Sequence, residues 1–281
     1  MARTYQALAA AACAVVVLVA AGCSSDSGSD KSAKGKSFSD SAAGGSAGGD
    51  GKDSAKQQAP NGVEKLSAKE IYDKALAATE AAPTMRLVVP GAVDLTMDRK
   101  GNCAGTVTST VGSPQEVLRK NDQVWAKPKD EAAYYNSKEG KEIIKVVPDA
   151  KGKYMHGTTD GTISLGILSL YCEIGKPGAL KRNNDAAKVT REGRTTVDGQ
   201  NAVSLKVTSS QDVMTVHVAT EGEPYILKGV QSKDGETSEM TLSDFGKPFT
   251  PPATPPANQT FDAAKVEEAM MGSAGAGSGL S

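Results

Sequence analysis

"TTVDGQNAVSLKV", residues 195–207, decides the fold class. Asp198-Gly199 suits a two-residue turn in which both central residues take positive φ. Beyond it Val203, Leu205 and Val207 alternate with polar residues, the period of a half-buried strand. The unit here is an antiparallel hairpin, and it repeats on either side. Downstream, "VMTVHVATEGEPYILKGV" folds back on itself with Met214, Val216 and Val218 on one face, and "SKDGETSEMTLSDF" turns at Asp234-Gly235. Upstream, Val93, Leu95 and Met97 alternate before the "DRKGN" turn, and Val107 and Val111 follow in "CAGTVTSTVG". "EVLRKNDQVWAK" turns at Asn121-Asp122 and carries Trp125 on its second arm. Closely spaced turn signals with short local connections describe an antiparallel meander.

Two regions break the strand pattern. "SAKE", Ser67 to Glu70, is a capping box that opens a helix. Its apolar stripe is Ile71, Tyr72, Ala75, Leu76 and Thr79, and Pro83 stops it. In the middle, "DEAAYYNSKEG" and "GTISLGILSLYCE" interrupt the strands. The second is the most apolar run outside the N-terminus. It reads as a short helix with Ile163, Ile167, Leu170 and Tyr171 on one side, although a buried strand also fits.

The N-terminus places the protein in the cell. Arg3 is followed by an uncharged run from Ala7 to Ala21 that ends in Ala20, Ala21 and Gly22. That is the order of a secretory signal, and the run is shorter than the about 20 residues of a spanning helix. Cys23 directly after the small residues resembles a bacterial lipoprotein site, with Ala20 where Leu is usual. Residues 1–22 are thus expected to be a signal peptide and Cys23 to be lipidated. From there to Gly62 the chain is mostly Ser, Gly, Ala, Asp and Lys, with almost no large apolar residue, Phe38 being the exception. Such a segment buries too little apolar surface to offset chain entropy. Residues 23–62 read as a tether, 63–262 as the folded domain and 263–281 as a flexible tail. The protein is expected on the extracytoplasmic face of the cell membrane.

Composition narrows the function. The 281-residue chain has a net charge of −1 and 4% aromatic residues. No basic patch with interleaved aromatics suggests nucleic acid. In the exported domain only Cys103 and Cys172 remain, a pair expected to oxidise; two separate thiols are the alternative. His156 and His217 have no ligand-like spacing to the cysteines, so neither a metal nor a cofactor is expected. In the folded domain no G-x-S-x-G elbow and no phosphate-loop motif occurs, so no catalytic residue is named.

The order of parts, together with "TVHVATEGEPYILKGV" and "LSDFGKPFTPP", resembles the LolA-like fold. Within it, the chain resembles the actinobacterial lipoprotein family that includes LppX and LprG, over roughly residues 63 to 261. The resemblance implies an α+β fold: a curved antiparallel half-barrel with helices against its concave face. It also implies a lipid or glycolipid between sheet and helices, carried across the envelope. On that reading Ile163, Ile167 and Leu170 face the pocket, with Trp125 pointing inward. The alternative is a non-enzymatic sensor or protein-interaction module whose concavity is filled by its own side chains.

Overall fold

A computed structural model describes residues 59–108, 113–180, 187–209, 212–233 and 236–275. The signal segment, Cys23, nearly all of the tether, Val111 and the Asp234-Gly235 turn lie outside these residues.

The first helix, α1 (Ala68–Ala81), begins as its sequence requires. The Ser67 hydroxyl accepts from the Glu70 N–H, and the Glu70 carboxylate accepts from the Ser67 N–H at 2.8 Å. Its buried residues are Ile71, Tyr72, Ala75, Leu76 and Thr79, the stripe expected from the spacing.

Five strands follow: β1 (Thr84–Val89), β2 (Val93–Asp98), β3 (Cys103–Thr108), β4 (Pro114–Lys120) and β5 (Gln123–Pro128). Helices α2 (Glu131–Asn136) and α3 (Lys138–Val146) precede β6 (Tyr154–Thr158). After α4 (Ile163–Leu168) and a 3₁₀ turn (Leu170–Gly175) come β7 (Lys188–Val197), β8 (Gln200–Thr208), β9 (Val213–Ala219), β10 (Ile226–Lys233) and β11 (Glu236–Ser243). The short β12 (Thr260–Asp262) leads into α5 (Ala263–Gly275).

The twelve strands of the described residues form one open, curled sheet in the order β12-β6-β5-β4-β3-β2-β1-β11-β10-β9-β8-β7. Every pairing is antiparallel except β12 with β6. The class is α+β, as expected, but the meander is two meanders. β1 pairs with β11 and joins β1–β6 to β7–β11. The turns carry the expected strain: Asp198 and Gly199 have φ of 48° and 81°, and Asn121 has φ of 55°.

Between β6 and β7 the chain passes from one side of the sheet to the opposite edge. The apolar middle segment belongs to that crossing, which is why it had to leave the strand pattern. One core runs under both covers of the sheet. It joins Ile71, Tyr72, Ala75 and Leu76 of α1 to Leu165, Leu168 and Cys172 through strand residues such as Leu87, Leu95, Val124 and Leu205. The inner face is thus occupied by the protein's own side chains. Arg99 ties the two covers: its guanidinium donates to Ala82 O at 2.7 Å, to Gly175 O at 2.8 Å and to Thr79 O.

A second cluster at the β6/β12 side holds Tyr134, Tyr135, Ile143, Ala150 and Val266. Here the expected boundary moves. Residues 263–275 are α5, with Ala263 and Val266 buried, and not a free tail. The small residues of that stretch hid a helix whose burial comes from α3 and β6. At the opposite edge, β7 pairs among the described residues with β8 alone, and its register shifts between Arg191 and Gly193. Arg191 reaches Glu64 O at 3.0 Å and Leu66 O at 2.7 Å, and Arg194 Nε lies 2.5 Å from Glu64 Oε1.

Candidate functional site: an apolar ridge beside a charged cleft

α4 is a helix, but its orientation reverses the expectation. Leu165, Leu168 and Cys172 point into the core, at 0%, 6% and 0% exposure. Ile163, Ile167 and Leu170 stand outside, at 68%, 50% and 54%. Both sets have helical spacing, so in a segment apolar all round periodicity does not choose the buried face. Tertiary ties choose it. Cys172 is bonded to Cys103 of β3, with Cα atoms 5.8 Å apart. At the other end Thr162 supplies no side-chain cap. The cap comes from α5: Glu267 accepts the N–H of Ile163 at 3.0 Å, the N–H of Ser164 at 2.8 Å and the Ser164 hydroxyl at 2.6 Å. A carboxylate at a helix N-terminus is favourable both as a cap and against the helix dipole. Gly166 allows close packing, since a Cβ there would lie 2.9 Å from Thr159 O.

Trp125 does not join this ridge. Along β5, Val124 and Ala126 belong to the core under α4, so Trp125 between them faces the other side of the sheet. It is buried there with its ring stacked on His156 at 4.8 Å. The sequence pocket of Trp125, Ile163, Ile167 and Leu170 is therefore corrected. The three aliphatic residues form an outward ridge, and Trp125 lies on the opposite face.

Beside the ridge is a cleft of about 600 Å³ that Leu170, Gly166 and Ser169 share with charged residues. Its floor is Arg119, whose side chain is 2% exposed. Arg119 Nη1 lies 2.5 Å from Glu173 Oε1, and its Nε donates to Asn121 O at 2.6 Å. Lys176 Nζ lies 2.8 Å from the same Glu173 oxygen. Burial would raise the Glu173 pKa, but the hydrogen bonds and charges of Lys176 and Arg119 outweigh it and hold the carboxyl below its ordinary value. Lys100, Asp122 and Asp160 complete the lining. These residues come from three separate turns, so no local motif announced them. Glu267 was missed for the same reason, since it lay in the presumed tail.

The histidines are placed by pairing. His156 Nε2 lies 2.9 Å from Gln123 Oε1. His217 Nδ1 lies 2.9 Å from Ser204 Oγ on the neighbouring strand. Burial and then the Lys228 charge lower the His217 pKa against the pull of Glu192, so the ring is neutral at neutral pH. No carboxylate hydrogen-bonds that ring among the described residues, and no group of His, Cys, Asp and Glu there has the makings of a metal site. No helix among them is long and apolar enough to cross a membrane.

No protein-family model matches the chain, and no curated protein matches it. Solved structures do. LprF from Mycobacterium bovis is similar at 18% identity and a TM-score of 0.47, over 66% of this chain and 96% of that one. The Mycobacterium tuberculosis lipoprotein LppX is similar at 13% identity and a TM-score of 0.42, over 65% and 97%. A LolA superfamily protein from Nitrosomonas europaea is similar at 10% identity and a TM-score of 0.24, over 66% and 96%. LppX and the LolA superfamily, both named by the sequence resemblance, recur among these solved structures.

Proposed function

We propose that the chain is an extracytoplasmic lipoprotein, held to the membrane through Cys23, whose folded domain binds a lipid or another hydrophobic ligand and carries it within the envelope. The observation that carries this reading is the exposure of Ile163, Ile167 and Leu170 in a row beside a cleft. Three aliphatic side chains left in water on one short helix and the turn after it are costly unless something covers them. The ligand's seat in this reading is the ridge, not the filled concave face. That filled face supports the second reading, a sensor or protein-interaction module.

The test is lipid analysis of the full-length protein purified from its own membrane. A stoichiometric bound lipid supports the first reading. A protein that arrives empty and takes up no fatty acid on titration overturns it. The anchor is tested by itself. Cys23→Ser should move the protein from membrane to medium, because stable anchoring rests on the acyl chains. Retention in the membrane after a carbonate wash would assign the anchoring to something else.

A further inference from the structure

The wall of the cleft has an order that its contacts spell out. A Cβ on Gly101 would lie 3.4 Å from Lys176 Cε, which places the Lys100–Gly101 turn beside Lys176. Lys176 meets Glu173, Glu173 meets Arg119, and Arg119 Nε reaches Asn121 O. The next residue, Asp122, accepts through its carbonyl from the Thr159 N–H at 2.9 Å, and Asp160 follows Thr159. One end thus holds Lys100, Lys176 and Arg119 around the single carboxylate of Glu173. The other end holds Asp122 and Asp160. Lys100, Asp122 and Asp160 make no ion pair among the described residues. The cleft is cationic at one end and anionic at the other, and Leu170 on its rim begins the aliphatic ridge.

We infer that this cleft takes the headgroup of a zwitterionic phospholipid of the phosphoethanolamine kind. Its phosphate sits at Lys100 and Lys176, its ammonium at Asp122 and Asp160, and an acyl chain lies along Leu170, Ile167 and Ile163. The inference rests on the hydrophobic-ligand reading above and names the ligand class. An anionic headgroup would satisfy the lysines but meet repulsion at the aspartates. A neutral lipid would leave Lys100, Asp122 and Asp160 without a counter-charge. Only a ligand with both charges on one short frame answers both ends, and only one with an apolar chain covers the ridge. Arg119, already held by Glu173 and Asn121 O, shapes the floor between them.

The experiment uses the full-length protein in detergent micelles, titrated with dilauroyl phosphatidylethanolamine, dilauroyl phosphatidylglycerol or dilauroylglycerol and read by native mass spectrometry. Phosphatidylethanolamine should bind about tenfold tighter than phosphatidylglycerol, the scale of one charge-assisted contact. The Asp122→Asn/Asp160→Asn variant, exposed at both positions, should melt like the parent and lose that preference. Ile167→Glu should stop all three lipids from binding. If phosphatidylglycerol or dilauroylglycerol binds as well as phosphatidylethanolamine, the headgroup assignment is overturned while the hydrophobic-ligand reading stands. If free phosphoethanolamine competes at the concentration of the lipid itself, the ridge contributes nothing and the phospholipid is the wrong ligand. If no lipid binds at all, the underlying reading fails with it.

Discussion

Leu165 and Ile167 sit two residues apart in one apolar run, yet their substitutions should part company. Leu165 is wholly buried, so Leu165→Ala should cost about 2–5 kcal/mol in urea unfolding. Ile167 is half exposed, so Ile167→Glu should change stability by no more than about 0.5 kcal/mol while removing hydrophobic-ligand binding. A collapse of the fold in Ile167→Glu would mean that the residue is core after all. Glu173 gives a pH signature. Its folded pKa is lowered, so the folded state favours the ionised form. The stabilisation is full above pH 4.5, the ordinary value, and is lost as pH falls below it. Glu173→Gln should therefore be less stable at neutral pH by about 1–3 kcal/mol, because Arg119 keeps its buried charge with one partner fewer. Its stability should also fall less than the parent's between pH 7 and pH 3.5, as urea titrations at the two pH values would show.

At the scale of elements, α4 depends on a cap it does not own. Glu267→Ala should cost about 0.5–2 kcal/mol, in the range of lost caps. Hydrogen exchange should quicken at the amides of Ile163 and Ser164, which Glu267 now accepts, while the amides of α1 stay protected. Uniform loss of protection would show that Glu267 supports the whole domain and not this helix end. The contrast between the two helices explains what was legible. α1 carries its own cap, its own stop and a stripe with polar residues opposite, so its buried face could be named residue by residue. In α4 aliphatic residues stand on opposite faces, and the choice between Leu165 and Ile167 is made by a bond to β3 and a carboxylate on α5. The hairpins were legible because Asp198-Gly199 and Asn121-Asp122 state their geometry locally. The β1–β11 pairing was not, since no turn connects those strands. The cleft charges were silent for the same reason, being assembled from distant turns.

At the scale of the molecule, the disulfide joins the crossing segment to β3 across 69 residues of sequence. Closing a loop of that length removes unfolded-chain entropy worth about 4 kcal/mol in the chain-entropy model. The Cys103→Ser/Cys172→Ser protein should lose stability on that scale in urea unfolding. In the parent, both thiols should resist labelling in denaturant until a reductant is added. Full labelling without reductant would deny the bond.

The exposed edge at β7 has a consequence for how copies of this protein meet. An unpaired strand is a template on which another sheet can anneal. Arg191 and Arg194 both face the core side, opposite Leu205 and Val203, because the bulge between them flips the alternation. One antiparallel register of two such edges sets Arg191 of one copy against Arg194 of the other. Like charges directly opposed disfavour that pairing. The two arginines that brace Glu64 and Leu66 within one molecule thus also put positive charge on the strand that a second copy would have to meet.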